Sequence, residues 1–171
     1  MRCAVPNGPP TKTPTHPGRL TWNDAPPEGE RGPTRHSEER PVIEYIEPDP
    51  DNPPPVPLSS AVRVGRLLFV SGQASTEPGK GIVADTFDGE FRRTIRNLEE
   101  ILAAAGATLR DVVQVRAFLR DEASRERYNE LYAQAFQPLY PARTTVGNHF
   151  SFIQVEIDCV AVLPDGEDPT A

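Results

Sequence analysis

Cysteine, histidine and methionine are scarce in this chain: two Cys, three His and one Met among 171 residues. One of the cysteines, Cys3, lies in a segment read below as disordered, so a structural disulfide to Cys159 is not expected, and the usage suits a reducing cytoplasm. His16 and His36 fall in the same N-terminal segment, leaving His149 alone downstream. A zinc site needs three or four convergent ligands, so no metal is expected. A Ser-His-Asp triad would rest on His149, and no G-x-S-x-G stands upstream of it. Glycine-rich phosphate loops of the G-x-G-x-x-G or P-loop type are missing, so no nucleotide cofactor is indicated. No apolar run approaches the ~18–20 residues of a membrane span, nor does the N-terminus offer a signal-peptide core, so a cytoplasmic protein without a membrane partner is expected. Basic clusters are missing as well, and the formal net charge is −7. Nucleic-acid binding needs a basic face to displace counterions from phosphates, so it is not expected.

Proline is abundant and unevenly spread, with 15 of the 20 prolines before Leu58. Residues 1–41 are Pro, Gly, Thr, Arg and Glu with almost no apolar periodicity, a composition that cannot offset chain entropy by burial; they are read as a disordered extension. Residues 42–57 form an extended lead-in, with a possible edge strand at Val42–Ile46 and a Pro53-Pro54-Pro55 run that enforces a polyproline-like path. A domain of ordinary size spans 58–163, and 164–171 is a polar tail.

Within the domain, Ala61–Val64 and Leu67–Ser71 flank Gly65-Arg66 and predict a hairpin. After a turn at Glu77–Gly81 and a brief Ile82-Val83-Ala84, Asp85-Thr86 caps a helix. Phe87, Phe91, Ile95, Leu98, Leu102 and Ala105 give that helix one apolar stripe, and Gly106 ends it. Val113, Val115, Ala117 and Leu119 alternate with polar or outward residues as a strand. Ala123–Phe136 predicts a second helix, stopped by Pro138 and Pro141. Thr144–Gly147 and Gln154–Leu163 are the last strands. The class is α+β, in a β-β-α-β-α-β order, with both helices on one face of a mixed sheet. The uncovered face is apolar enough to need a subunit partner.

Three pieces carry candidate chemistry. Ser71-Gly72-Gln73 ends a strand where glycine lets a backbone N–H approach a ligand, or is simply a strand terminus. Arg143, entering a strand from a Pro-rich loop, either grips a carboxylate with its planar fork or pairs with a surface acid. Glu156 and Asp158 share one face of the last strand, roughly 6.5–7 Å apart, with Val155, Ile157, Cys159 and Ala161 on the other. Burying either acid unpaired is costly, so both are solvated at an edge or meet a cation or substrate. Cys159 reads as a packing residue.

These pieces, in order, resemble the Rid (YjgF-type, RidA-like) family of reactive-intermediate imine/enamine deaminases. The matching segments are Val64–Gln73, Asn97-Leu98 with Ala104–Gly106, Asp111–Val113, Tyr128-Asn129 with Tyr132, Pro141–Thr144, and Val155–Asp158. The resemblance implies a chorismate-mutase-like fold, a homotrimer with ligand clefts between subunits, and cofactor-independent hydrolysis of 2-aminoacrylate-like enamines and imines to 2-keto acids and ammonia. It assigns Arg143 to the substrate carboxylate and Glu156 to the attacking water, with backbone near Gly72 and Thr145 completing the pocket. Two positions depart from the family pattern: Leu58 replaces a tyrosine facing the ligand, and Thr145 replaces a cysteine, implying a less polar pocket. The alternatives are a non-catalytic module binding a small carboxylate in the same cleft, which Glu156 argues against, and a ribonuclease, which the acidic balance and lone His149 argue against.

Overall fold

Gly65 turns the chain back on itself with φ of +59°, a left-handed conformation that costs glycine nothing. Around it, β2 (Ala61–Val64) pairs antiparallel with β3 (Leu67–Gln73), as the sequence predicts. The computed structural model describes residues 42–164, so the expectations for 1–41 and for 165–171 lie outside the described residues. The lead-in supplies β1 (Ile43–Ile46), which pairs with β2 and forms one edge of the sheet. A small separate hairpin, β4 (Thr76–Glu77) with β5 (Gly81–Ile82), follows β3.

The first helix, α1, runs Phe87–Ala104, and Thr86 Oγ1 accepts from Gly89 N at its start. Of the expected stripe, Phe91, Ile95, Leu98 and Leu102 are buried and Phe87 and Ala105 are partly buried against them, while Thr94, Ile101 and Glu90 join the buried set. Glu90 is 2 % exposed because its carboxylate accepts Gln154 N at 2.8 Å, Gln154 Nε2 at 3.1 Å and Asp85 N at 3.3 Å. A charged residue thus ties the entry of α1 to the entry of the last strand, and the donors offset the cost of its burial.

A 3₁₀ turn (Leu109–Asp111), capped reciprocally by Thr108 and Asp111, leads into β6 (Val112–Leu119). A second one (Glu122–Ser124) precedes α2 (Arg125–Phe136), so the α-helix begins two residues later than its sequence pattern predicts. Then come β7 (Ala142–Gly147) and β8 (Val155–Val162). The main sheet is ordered β1-β2-β3-β8-β6-β7, antiparallel except for the β6–β7 pair. The β-β-α-β-α-β skeleton stands, extended by β1 and by the small hairpin, and the expected Thr144–Gly147 strand begins two residues earlier, at Ala142, on the far edge.

One alternation is corrected. Val113 does not belong with Val115, Ala117 and Leu119: it is 46 % exposed, and its place in the core is taken by Val112. The pairing of β6 with β8 shifts register between Val112 and Gln114, a bulge that drops Val113 out of the ladder.

The core lies between the helices and one sheet face: Leu68, Val70, Val115, Ala117, Leu119, Val155, Ile157, Cys159 and Ala161 are buried with Phe91, Leu98, Leu102, Tyr128, Leu131 and Phe136. No helix among the described residues is long and apolar enough to cross a membrane.

Candidate active site

Strand pairing decides where the candidate residues point. Arg143 of β7 pairs with Val115 and Thr145 with Ala117, and both partners are fully buried on the helix side. Arg143 and Thr145 therefore face α2. Glu156 of β8 pairs with Phe118, on the opposite face, beside Asp158, whose partner is Arg116. Within one chain, the two residues with the clearest chemistry occupy opposite faces of the same sheet.

The arginine has a built seat. Its guanidinium carbon sits 4.6 Å from the centre of the Tyr132 ring and 5.2 Å from that of Tyr128. Its Nη2 donates to Asn129 Oδ1 at 2.8 Å. These three residues occupy neighbouring positions on α2, and the rings are braced in turn: Phe91 meets Tyr128 edge-on at 5.7 Å, and Phe136 stacks on Tyr132 at 4.4 Å. No carboxylate among the described residues lies within 4.0 Å of Arg143. The surface ion pair that the sequence left open is not there; the charge is held by neutral groups. Tyr128 Oη, Tyr132 Oη and Thr145 Oγ1 are enclosed without a partner of hydrogen-bonding geometry. Burial raises the proton affinity of both phenols, Tyr132 to about 12, while the Arg143 charge pulls the other way.

The glutamate is the converse case. Glu156 is half-buried, and its carboxylate makes no hydrogen bond or ion pair with any described residue. Burial, and then the neighbouring Asp158 charge, raises its pKa above the ordinary carboxylate value. Asp158 is better served, taking Arg116 Nε at 2.8 Å. Gly72 packs directly on Glu156: a Cβ there would overlap Glu156 Oε1 and crowd Cδ at 3.0 Å. The glycine at the end of β3 is thus needed for the seat of the carboxylate. Leu58 is 43 % exposed and enters the same end of the β2–β3 pair, where Ser71 Oγ donates to Ser59 O at 2.7 Å.

The open face of the sheet carries Leu67 and Phe69, 43 % and 45 % exposed, with Val62 paired to Phe69 and Tyr45 paired to Val62. Val160 and Val162, paired with Phe69 and Leu67, continue the apolar surface toward Phe118 and Glu156. No group of three or more His, Cys, Asp or Glu among the described residues is arranged to hold a metal ion.

Asn129 escaped the reading of the sequence as a site residue. It stood there only as part of the matching segment Tyr128-Asn129 with Tyr132, without a role.

Residues 50–163 match the family model described as endoribonuclease L-PSP. A RutC family protein of Pyrococcus abyssi is 40 % identical over 96 residues, 55 % of this chain and 76 % of that protein. The human 2-iminobutanoate/2-iminopropanoate deaminase is 34 % identical over 109 residues, 62 % of this chain and 80 % of that protein. Among solved structures, a putative endoribonuclease from Thermotoga maritima superposes with a TM-score of 0.64 at 35 % identity, covering 71 % of this chain and 98 % of that one.

Proposed function

We propose, from the premise that this chain belongs to the Rid family, whose model carries the endoribonuclease L-PSP description, that it hydrolyses the C=N bond of small imino acids and their enamine tautomers. In this reaction R–C(=NH)–COO⁻ and water give R–CO–COO⁻ and ammonia. The observation that carries the reading is a matched pair of unpaired charges: Arg143, a cation seated on neutral groups, and Glu156, a half-buried carboxylate with no donor.

The chemistry needs little more. Arg143 takes the substrate carboxylate on its free N–H edge. Glu156 orients one water toward the electrophilic imine carbon and accepts its proton as the C–O bond forms and the C=N electrons move to nitrogen. The proton then passes to nitrogen to give the neutral carbinolamine; Glu156 carries the proton of its new hydroxyl to the same nitrogen, and as the C–N bond breaks the carbonyl forms and ammonia leaves. An imine is electrophilic already, so positioning supplies most of the effect and no activated nucleophile is required.

Because Arg143 and Glu156 face opposite sides of one sheet, the reading places the reaction between copies, with Arg143 of one subunit meeting Glu156 and Gly72 of another, and Thr145 and Leu58 lining the cleft. A homotrimer is the assembly we propose, with the apolar open face of each sheet buried against its neighbours. The replacement of a ligand-facing tyrosine by Leu58 favours substrates with larger apolar side chains. The test is direct: imines of alanine, leucine and phenylalanine generated in place by an amino-acid oxidase, with 2-oxo acid and ammonia followed over time. Acceleration over the buffer rate supports hydrolysis; tight binding of 2-oxobutanoate with no acceleration of any imine would turn the reading to a binding module.

A further inference from the structure

Resting on the reading that Arg143 receives the substrate carboxylate, we propose that Asn129 is a positioning residue for it: the Tyr128-Asn129-Tyr132 surface of α2 fixes the plane of the guanidinium and leaves its charge unspent. Three facts point there. Arg143 lies on β7, the edge strand, and is itself exposed, so packing does not immobilise it. Its side chain carries about 2 kcal/mol of rotamer entropy, which a clamp must remove before the ligand arrives. And what removes it here comes from one rigid helix: a hydrogen bond of 2.8 Å to Asn129 Oδ1 and two ring faces, at 4.6 and 5.2 Å, on tyrosines that are almost wholly buried.

The choice of group matters as much as its place. Asn129 spends one N–H of Nη2 and no charge. Nη2 keeps a second N–H, which with its neighbouring donor on Nε or Nη1 makes the adjacent pair that a two-pronged carboxylate contact needs. An aspartate would hold the guanidinium more firmly still, and would neutralise it. Ring faces likewise restrain a guanidinium without competing for its N–H edge. The neutral seat is therefore suited to a cation that must be ordered and yet unpaired in the empty site. A purely structural contact would have no reason to prefer the amide over the carboxylate.

That asymmetry supplies the experiment. Asn129→Ala, Asn129→Asp and, in parallel, Arg143→Ala are made in the full chain. Each is assayed for imine hydrolysis and for its Kd for 2-oxobutanoate by calorimetry, with thermal midpoints recorded. We expect Asn129→Ala to raise KM and the 2-oxobutanoate Kd roughly tenfold, with kcat changed less than about threefold. Asn129→Asp is expected to melt at or above the wild-type temperature and yet to bind 2-oxobutanoate at least tenfold more weakly, because its carboxylate occupies the arginine. Asn129→Asp binding as tightly as wild type, or Asn129→Ala with wild-type KM and Kd, would overturn the role given to Asn129. If Arg143→Ala is impaired while Asn129→Ala is not, the inference alone falls. Wild-type kinetics in Arg143→Ala would remove the carboxylate site itself and the inference with it.

Discussion

Replacing Arg143 by alanine tests the proposed carboxylate site, because the change is expected to act little on folding and strongly on substrate binding. In the free protein the change removes one hydrogen bond, to Asn129, and two cation–ring contacts, but no ion pair. A net ~1 kcal/mol for the hydrogen bond and ~0.5–1 kcal/mol for each contact at an exposed site bound the loss of stability at roughly 2–3 kcal/mol. Solvation of the freed asparagine amide reduces it further, so the domain should fold and melt a few degrees lower. Under the proposed role for Arg143, the same change with substrate present deletes a charge-assisted, two-pronged contact, worth on the order of 2–5 kcal/mol in the transition state. At about 1.4 kcal/mol per decade, kcat/KM should fall by roughly 30-fold to several thousandfold. Arg143→Lys should recover part of this, since an ammonium can rest on the rings but lacks the planar fork. The assay is ammonia and 2-oxo acid release from oxidase-generated imines, with circular dichroism confirming the fold. A surface arginine of no functional weight predicts a change within about 0–1 kcal/mol. Wild-type kinetics from folded, assembled Arg143→Ala would refute the argument.

The remaining expectations use the other face of the sheet. Gly72→Ala should fold, because the atom displaced is the mobile end of Glu156, but kcat should drop as the carboxylate is pushed from its seat; unchanged kcat would show that the contact is incidental. Glu156→Gln should lower kcat by roughly 10²–10⁴ while leaving the 2-oxobutanoate Kd within about threefold. It should also leave the thermal midpoint at pH 7 no lower than wild type. Folded Glu156 binds its proton more readily than the unfolded chain does. Its contribution to stability is therefore full below the ordinary glutamate pKa of ~4.3 and is lost as pH rises through the raised value, so the advantage of the amide closes toward acid pH. Paired charges at Leu67 and Phe69, as Leu67→Glu with Phe69→Glu, should disperse the assembly in sedimentation and abolish turnover together; active monomers would refute a site shared between copies.

Much of the frame was legible in the residues because it depends on local rules. The hairpin is announced by glycine at Gly65, α1 by Thr86 and its apolar spacing, and the two faces of β8 by strict alternation from Val155 to Ala161. What escaped depends on partners distant in sequence. The bulge at Val113 exists only through register with β8, and Val113 fits the alternation if the strand is read alone. Glu90 lies outside the apolar stripe read from the sequence, and its burial is explained by donors from Asp85 and from Gln154, 64 positions away. The candidate residues show the same divide. Arg143 and Glu156 stood out as types that do not belong in apolar strands, whereas Asn129 is an ordinary polar residue on a helix until a strand 14 positions later sets an arginine on it.

The two charges also weigh differently between an enzyme and a module that merely binds. An exposed arginine on a neutral seat costs little, and either function would use it. A half-buried carboxylate with no donor is another matter: burial works against its ionised form, and the charge that acts on it, Asp158, is of the same sign and already paired with Arg116. Next to a ligand that is itself a carboxylate, Glu156 adds repulsion to that cost, so a module selected by affinity alone would do better with an amide or an apolar residue there. The arrangement makes sense where ionised Glu156 must meet something neutral that can give up a proton. The proposed reading meets that description: a water poised against an imine carbon, with the substrate's own carboxylate drawn away by Arg143 of a neighbouring copy.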